Sequence, residues 1–227
     1  MQVKGLGEIR AIGFDIDGTL YAPYHLHMRM AFHFFRYNQF FLKYGFVRRD
    51  MHKLEKIDNF MEVQDEFLAK RIGCSVEDAH ERLQRIVYSG LGKFFKSIPP
   101  RKYVHEAFKL FRYAGFKIGV LSDFPPEQKG DLWGLRMYCD VLLGTESTGA
   151  LKPSPHPFLV MAKKLGVAPE HILYVGNSVK YDVHGAKSAG MKTALIEPRW
   201  HTLFGRACKE ADISFNTYRQ LHKIVLQ

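Results

Sequence analysis

Two carboxylates, Asp15 and Asp17, stand two residues apart at the end of the apolar run Ile12-Gly13-Phe14 and directly before Gly18-Thr19. In an extended chain residues at i and i+2 point the same way. The two acids therefore converge only where a strand ends and water or a cation relieves their repulsion. Such a pair has two chemistries open to it: it can hold a metal ion, or one carboxylate can attack an electrophile while the other moves protons. Asp17-Gly18 is also an ordinary hairpin-turn dipeptide, so the chemical reading requires partners further along the chain.

Those partners depend on the elements that would deliver them. From Arg101 onward short apolar runs alternate with helical segments. Ile118-Gly119-Val120-Leu121 leads into Ser122-Asp123, and Val141-Leu142-Leu143 leads into a loop that holds Lys152-Pro153. Ile172-Leu173-Tyr174-Val175 runs into Gly176-Asn177, with Asp182 following, and Thr193-Ala194-Leu195-Ile196 and Ile213-Ser214-Phe215 read as further strands. Helices fit the segment through Ala107, Leu110 and Phe111, the stretches near 155–165 and 182–189, and the end of the chain after Tyr218. Alternation of this kind predicts an α/β fold, a Rossmann-like parallel sheet core with helices on both faces. Ligands of open parallel sheets sit beyond the carboxyl ends of the strands. Asp15, Asp17, Ser122, Lys152, Asn177 and Asp182 all follow apolar strands, so one fold would gather them at one edge. Taken singly, Ser122 also reads as a helix N-cap and Lys152 as a solvated loop lysine.

Residues 21–96 have a different grammar, with helical periodicity throughout. Met30, Phe34, Tyr37, Phe41 and Tyr44 recur at i+3 and i+4 and predict one helix over 28–44, while Phe32, Phe35 and Phe40 widen its stripe enough to predict packing on two sides. A second helix fits 61–72 and stops near Gly73. A third starts at Ser75, an N-cap with Asp78 three residues on, and is expected to bury Val76, Ala79, Leu83, Ile86 and Val87. Pro99-Pro100 closes the segment. The expected organisation is a core of residues 1–20 and 97–227 with a small all-helical cap domain, 21–96.

With these motifs in order, the chain resembles phosphatases of the haloacid dehalogenase superfamily that carry a helical cap after the first motif. Asp15-Ile16-Asp17-Gly18-Thr19 is similar to that family's DxDG[TV] motif, Ser122 to its second and Lys152-Pro153 to its third. Gly176 through Asp182 is similar to its GDxxxxD motif except at Asn177, where the family usually has a metal-binding aspartate. The resemblance implies hydrolysis of a small phosphomonoester, with Asp15 as the nucleophile that forms an aspartyl phosphate. It implies that Asp17 protonates the leaving oxygen, then deprotonates the attacking water, and offers its backbone carbonyl to the metal. Ser122 would bond the phosphoryl oxygens and Lys152 would hold Asp15. The implied metal set is Asp15, Asp17, Asn177 and Asp182, with the last acting through water or by orienting a ligand. The cofactor is Mg²⁺, which suits an oxygen-only set with few carboxylates and several waters. Asn177 brings no charge and leaves metal affinity open. Phosphosugar mutase chemistry on the same motifs, or a non-catalytic binding or regulatory protein on this fold, are the alternatives. A dehalogenase does not require the second acid that Asp17 supplies.

Composition narrows the partners. At 227 residues and 46% hydrophobic, the chain can bury one core and a small second domain. No apolar run approaches a membrane span, and residues 1–10 lack the apolar block of a secretory signal, so the expected location is cytoplasmic. Cys74, Cys139 and Cys208 lie far apart and predict neither zinc nor disulfides but buried or idle thiols. The net charge of +10 forms no basic arm, and anionic substrates or simple solubility account for it as well as polynucleotide binding does. What the resemblance implies is a small phosphorylated metabolite as the partner rather than nucleic acid or a membrane. Residues 21–60 carry 7 Lys and Arg against 3 Asp and Glu. That excess predicts a part for Arg29 and Arg36 in substrate capture, and Tyr21, His25, His27 and Arg29 are close enough in sequence to reach the leaving group.

Overall fold

The computed structural model describes residues 1–95 and 97–227, and at Thr202 the backbone alone. The chain opens with a two-stranded antiparallel ribbon, β1 (Gln2–Val3) and β2 (Gly7–Glu8), and enters the main sheet at β3 (Ala11–Phe14). Five helices follow with no strand among them: α1 (Pro23–Arg36), α2 (Asn38–Met51), α3 (Phe60–Ile72), α4 (Val76–Leu83) and α5 (Ser89–Phe95). The alternating region then runs α6 (Val104–Tyr113), β4 (Lys117–Ser122), β5 (Val141–Gly144), α7 (Pro155–Leu165) and β6 (Ile172–Gly176). It finishes with α8 (His184–Ser188), β7 (Lys192–Ile196), α9 (Arg199–Leu203), β8 (Ile213–Phe215) and α10 (Tyr218–Leu226).

The sheet order is β5-β4-β3-β6-β7-β8, and every pairing is parallel. The chain builds outward from β3 in both directions, so the switch in strand order lies beside β3. Alternate residues of the central strands face opposite ways. Ile12 and Phe14 join one buried cluster with Phe108 of α6 and Tyr218 of α10, and the Phe14 and Phe108 rings stack at 4.4 Å. Ala11 joins the other cluster, with Phe158 and Met161 of α7 and Tyr174 of β6. Helices thus cover both faces, as the parallel pattern requires.

The helical segment departs from expectation in two places. The single helix expected over 28–44 is two helices, because Tyr37 leaves helical geometry (φ −116°, ψ 26°) and α2 restarts at Asn38. The expected two-sided packing fails as well: Met30 is buried, but Phe32 and Phe35 are 78% and 76% exposed. Ser75 caps α4 through a bond from the Asp78 amide, whereas Val76 is exposed rather than buried. The chain leaves for the helices and returns through an antiparallel bridge between Tyr21 and Pro100. The expected boundary at residue 96 lies outside the described residues. The three thiols are free and half-buried. Among the described residues no helix is long and apolar enough to cross a membrane.

Candidate active site

The loop after β3 is pinned on all sides. The Asp15 amide donates to Val175 O of β6, Arg101 Nη2 donates to Gly18 O at 2.8 Å, and Tyr218 donates to Thr19 O at 3.1 Å. Gly18 takes a positive φ of 90°, and a Cβ there would run into the Asn177 amide. Glycine is therefore required twice over, by conformation and by the close approach of the two loops.

Both oxygens of Asp15 are held. Lys152 Nζ donates to Oδ1 at 2.8 Å, and the Thr19 hydroxyl stands between Oδ2 at 2.8 Å and Asn177 Oδ1 at 3.0 Å, donating to one at a time. Burial pushes the Asp15 carboxyl up, Asp182 and Asp17 add to the effect, and Lys152 offsets only part of it. The Lys152 ammonium, whose charge burial opposes, is held well above the usual lysine value by Asp15 and Asp182.

Asp17 has its own set of partners. Tyr21 donates to Oδ1 at 2.6 Å and Ser122 to Oδ2 at 3.1 Å. Lys129 Nζ lies 3.1 Å from the same Oδ2 as an ion pair without aligned hydrogen-bond geometry. Burial works against the charge of Asp17, but Lys129, Tyr21 and Ser122 outweigh it and hold the carboxyl below the usual range.

Asp182 sits in a π-turn, Val179–Val183, whose N-cap is Ser178. Its Oδ2 accepts the amides of Asn177 and Ser178 at 3.0 and 2.9 Å, and its Oδ1 accepts Lys152 at 3.0 Å. A Cβ on Gly176 would collide with it, so the glycine makes room for this carboxylate.

The structure therefore brings Asp15, Asp17, Ser122, Lys152, Asn177 and Asp182 to the carboxyl edge of the sheet. Ser122 starts no helix, and its hydroxyl faces Asp17. Asp123 accepts from Thr145 at 3.1 Å. Of the cap residues expected to reach the leaving group, Tyr21 and His27 line the cavity above the carboxylates. His25 and Arg29 do not, nor does Arg36, because Arg29 is bonded to Ser97 and His25 O and Arg36 lies over the Tyr37 ring. The capture role expected of Arg29 and Arg36 is thus not supported by their placement. Lys129 went unnoticed in the sequence: in the run Pro125-Pro126-Glu127-Gln128-Lys129 nothing local marks it, and only folding buries it between Phe95 and Phe124.

The donors suit a hard cation. Among the described residues no group of three or more His, Cys, Asp and Glu is placed to hold a metal. Asp15, Asp17 and Asp182 nevertheless outnumber Lys129 and Lys152 in charge, which leaves the cluster one positive charge short. The oxygens of Asp15 and Asn177 already converge on one hydroxyl. An oxygen set this small fits an ion such as Mg²⁺ that keeps several waters. The Asp182 carboxylate, taken up by three donors, fits a part in placing Lys152 and the Asn177 loop.

A model of haloacid dehalogenase-like hydrolases matches residues 9–190. The chain is 28% identical over 197 residues to the pyrophosphatase PpaX of Halalkalibacterium halodurans, covering 83% of this chain and 84% of that one. It is 29% identical over 201 residues to a glyceraldehyde 3-phosphate phosphatase of Methanopyrus kandleri, with the same shares covered. Among solved structures, a phosphatase of Thermococcus onnurineus superposes with a TM-score of 0.64 at 25% identity, over 95% of this chain and 97% of that one.

Proposed function

The chain belongs to the haloacid dehalogenase-like hydrolases, and on that premise we propose that it hydrolyses a small phosphomonoester through an aspartyl phosphate on Asp15. The reading is carried by one observation: two carboxylates share one strand end and each is paired with its own buried lysine, Asp15 with Lys152 and Asp17 with Lys129. Asp15 is held by Lys152 and Thr19 and Asp17 by Tyr21, Ser122 and Lys129, and two acids held by different partners suit two roles. The named activities of the relatives, all phosphoryl hydrolyses, support the same class.

In the proposed reaction an Asp15 oxygen bonds to phosphorus and the bond to the leaving oxygen breaks. Asp17 gives that oxygen a proton. It then takes a proton from the water that attacks the aspartyl phosphate, freeing inorganic phosphate and Asp15. Asp17 is a carboxylate at rest, so it takes its proton from the phosphomonoester monoanion, whose second ionisation lies at about pH 6, as the substrate binds and its charge beside Asp17 disfavours ionisation. Lys152 and Thr19 orient Asp15, while Tyr21, Ser122 and Lys129 orient Asp17. Mg²⁺ would be held by the Asp15 carboxylate, the Asp17 carbonyl and the Asn177 amide oxygen, with waters. It would supply positive charge against the phosphoryl oxygens. We assign the chain as a core, 1–20 and 97–227, with a cap, 21–96, that closes over this site.

Asp15→Asn keeps the shape of the side chain and removes the nucleophile. Turnover of 4-nitrophenyl phosphate should fall by about 10⁴-fold or more, with a melting temperature within a few degrees of the parent. Retention of wild-type turnover would remove Asp15 from the reaction.

A further inference from the structure

The cavity above the carboxylates has a volume of about 610 Å³, room for a leaving group far larger than a two- or three-carbon acid. Its floor is polar, formed by Asp15, Asp17, Lys152 and Asn177. Its walls are mostly apolar: Leu26, Met30 and Phe34 of α1, Leu91 and Phe95 of α5, and Phe124 from the loop after β4 face it, with His27, Tyr44 and Tyr181 among the polar side chains beside them.

The cations at its walls are already committed. Arg48 donates to Glu146 and Gln64 through Nη1 and to Asp123 O through Nη2, and its plane lies 4.7 Å over the Phe124 ring. Lys152 is held by Asp15 and Asp182. Lys129 does not line the cavity, since its side chain is fully buried against Asp17. Gln128 spends its amide on Tyr88 O at 3.0 Å. A second phosphate or a carboxylate on the leaving group would lose its water here and find no free lysine or arginine among the described lining residues. That desolvation is costly. A sugar would likewise set most of its hydroxyls against aliphatic and aromatic carbon.

The geometry points to a phosphomonoester of an apolar alcohol, alkyl or aryl, as the substrate class. The phosphoryl group meets the polar floor and the hydrocarbon fills the walls. This rests on the phosphatase reading above and sharpens it, because neither named relative acts on such a compound.

The test is a chain-length series. For the wild-type enzyme with Mg²⁺, kcat/KM on n-alkyl phosphates from ethyl to octyl should climb about fourfold per methylene, the ratio that ~0.8 kcal/mol per buried CH₂ corresponds to. Octyl phosphate should exceed pyrophosphate, phosphoglycolate and glyceraldehyde 3-phosphate by about 100-fold or more on the same slope. In parallel, calorimetry measures binding of the non-hydrolysable n-alkylphosphonates, which reports on the walls without requiring turnover. Phe34 is 39% exposed, so Phe34→Lys is tolerable to the fold. It should flatten both series and raise kcat/KM for phosphoglycolate. Turnover with a flat alkyl series, or a preference for the anionic substrates, overturns the apolar assignment and leaves the phosphatase standing. Chain-length-dependent phosphonate binding with no turnover of any phosphate does the reverse. Neither turnover nor a binding slope removes both.

Discussion

Lys129 decides how Asp17 is held, and it does so without touching the cavity. Its ammonium is buried between the rings of Phe95, at 5.0 Å, and Phe124, at 5.6 Å, and faces Asp17 Oδ2. A residue so placed positions Asp17, the group proposed to transfer protons, and does not line the cavity. Lys129→Met should therefore lower kcat about 10- to 100-fold while KM moves less than about threefold, the pattern of an interaction felt only in the transition state. Steady-state kinetics on one good substrate checks it, and a rise in KM at unchanged kcat would mean that Lys129 contacts the substrate after all. The carboxylates, Ser122 and Lys152 could be read from the sequence because each follows an apolar strand at a spacing that chemistry constrains. Lys129 could not, since its partner is 112 positions away and its burial is created by cap and core together. Asp182 was legible as a site residue, but that its oxygens are spent on Lys152 and two loop amides depends on the π-turn, which periodicity does not signal.

Among the elements, the strands of the main sheet were legible because buried parallel strands read as short continuous apolar runs. The first helices were harder. Apolar spacing across 28–44 continues through Tyr37, so the break there has no hydrophobic signature. Nor does a stripe disclose whether anything packs on it: Phe32 and Phe35 meet solvent while Met30 meets the core. At the other end of the sheet, the ladder that pairs β8 with β7 is reinforced by a carboxylate just ahead of β8. Asp212 Oδ2 accepts both the amide and the hydroxyl of Thr193 at 2.8 Å, and Lys187 lies 3.5 Å away. Burial alone would raise its carboxyl, but the Thr193 bonds and Lys187 outweigh burial and depress it. A depressed folded value means stability that is present above the unfolded value, about 3.9, and is lost as pH falls through the folded one. Asp212→Asn should cost about 1 kcal/mol at pH 7, and the gap to the parent should close progressively below about pH 4. Urea melts at pH 7 and pH 3 measure both, and a gap that stays constant would show that the charge is not what ties the strands.

Across the whole molecule, cap and core are joined by a buried polar cluster rather than by apolar packing alone. Arg48 of α2 meets Glu146 from the loop after β5, Tyr88 donates to the other Glu146 oxygen at 2.9 Å, and Gln64 of α3 receives bonds from Arg48 and Tyr44. Ile57 adds a backbone bond to Gly149 O at 2.6 Å. The Arg48 and Glu146 side chains are only 10% and 5% exposed, so whichever partner remains after a deletion is left as a buried charge. Burial pushes the Glu146 carboxyl up despite Arg48, which marks the pair as specific rather than cheap. Arg48→Met and Glu146→Ala should each destabilise by about 3 kcal/mol or more, and the double variant by less than their sum, because removing both charges leaves neither stranded. The same singles should raise KM for the best substrate, since Arg48 also lines the cavity and holds the cap against Asp123 O and Phe124. Denaturant melts of the four proteins give the coupling energy, and KM measured in parallel gives its bearing on the site. Additive costs with an unmoved KM would mean that the cap is seated by its apolar contacts and that this cluster only fills the seam.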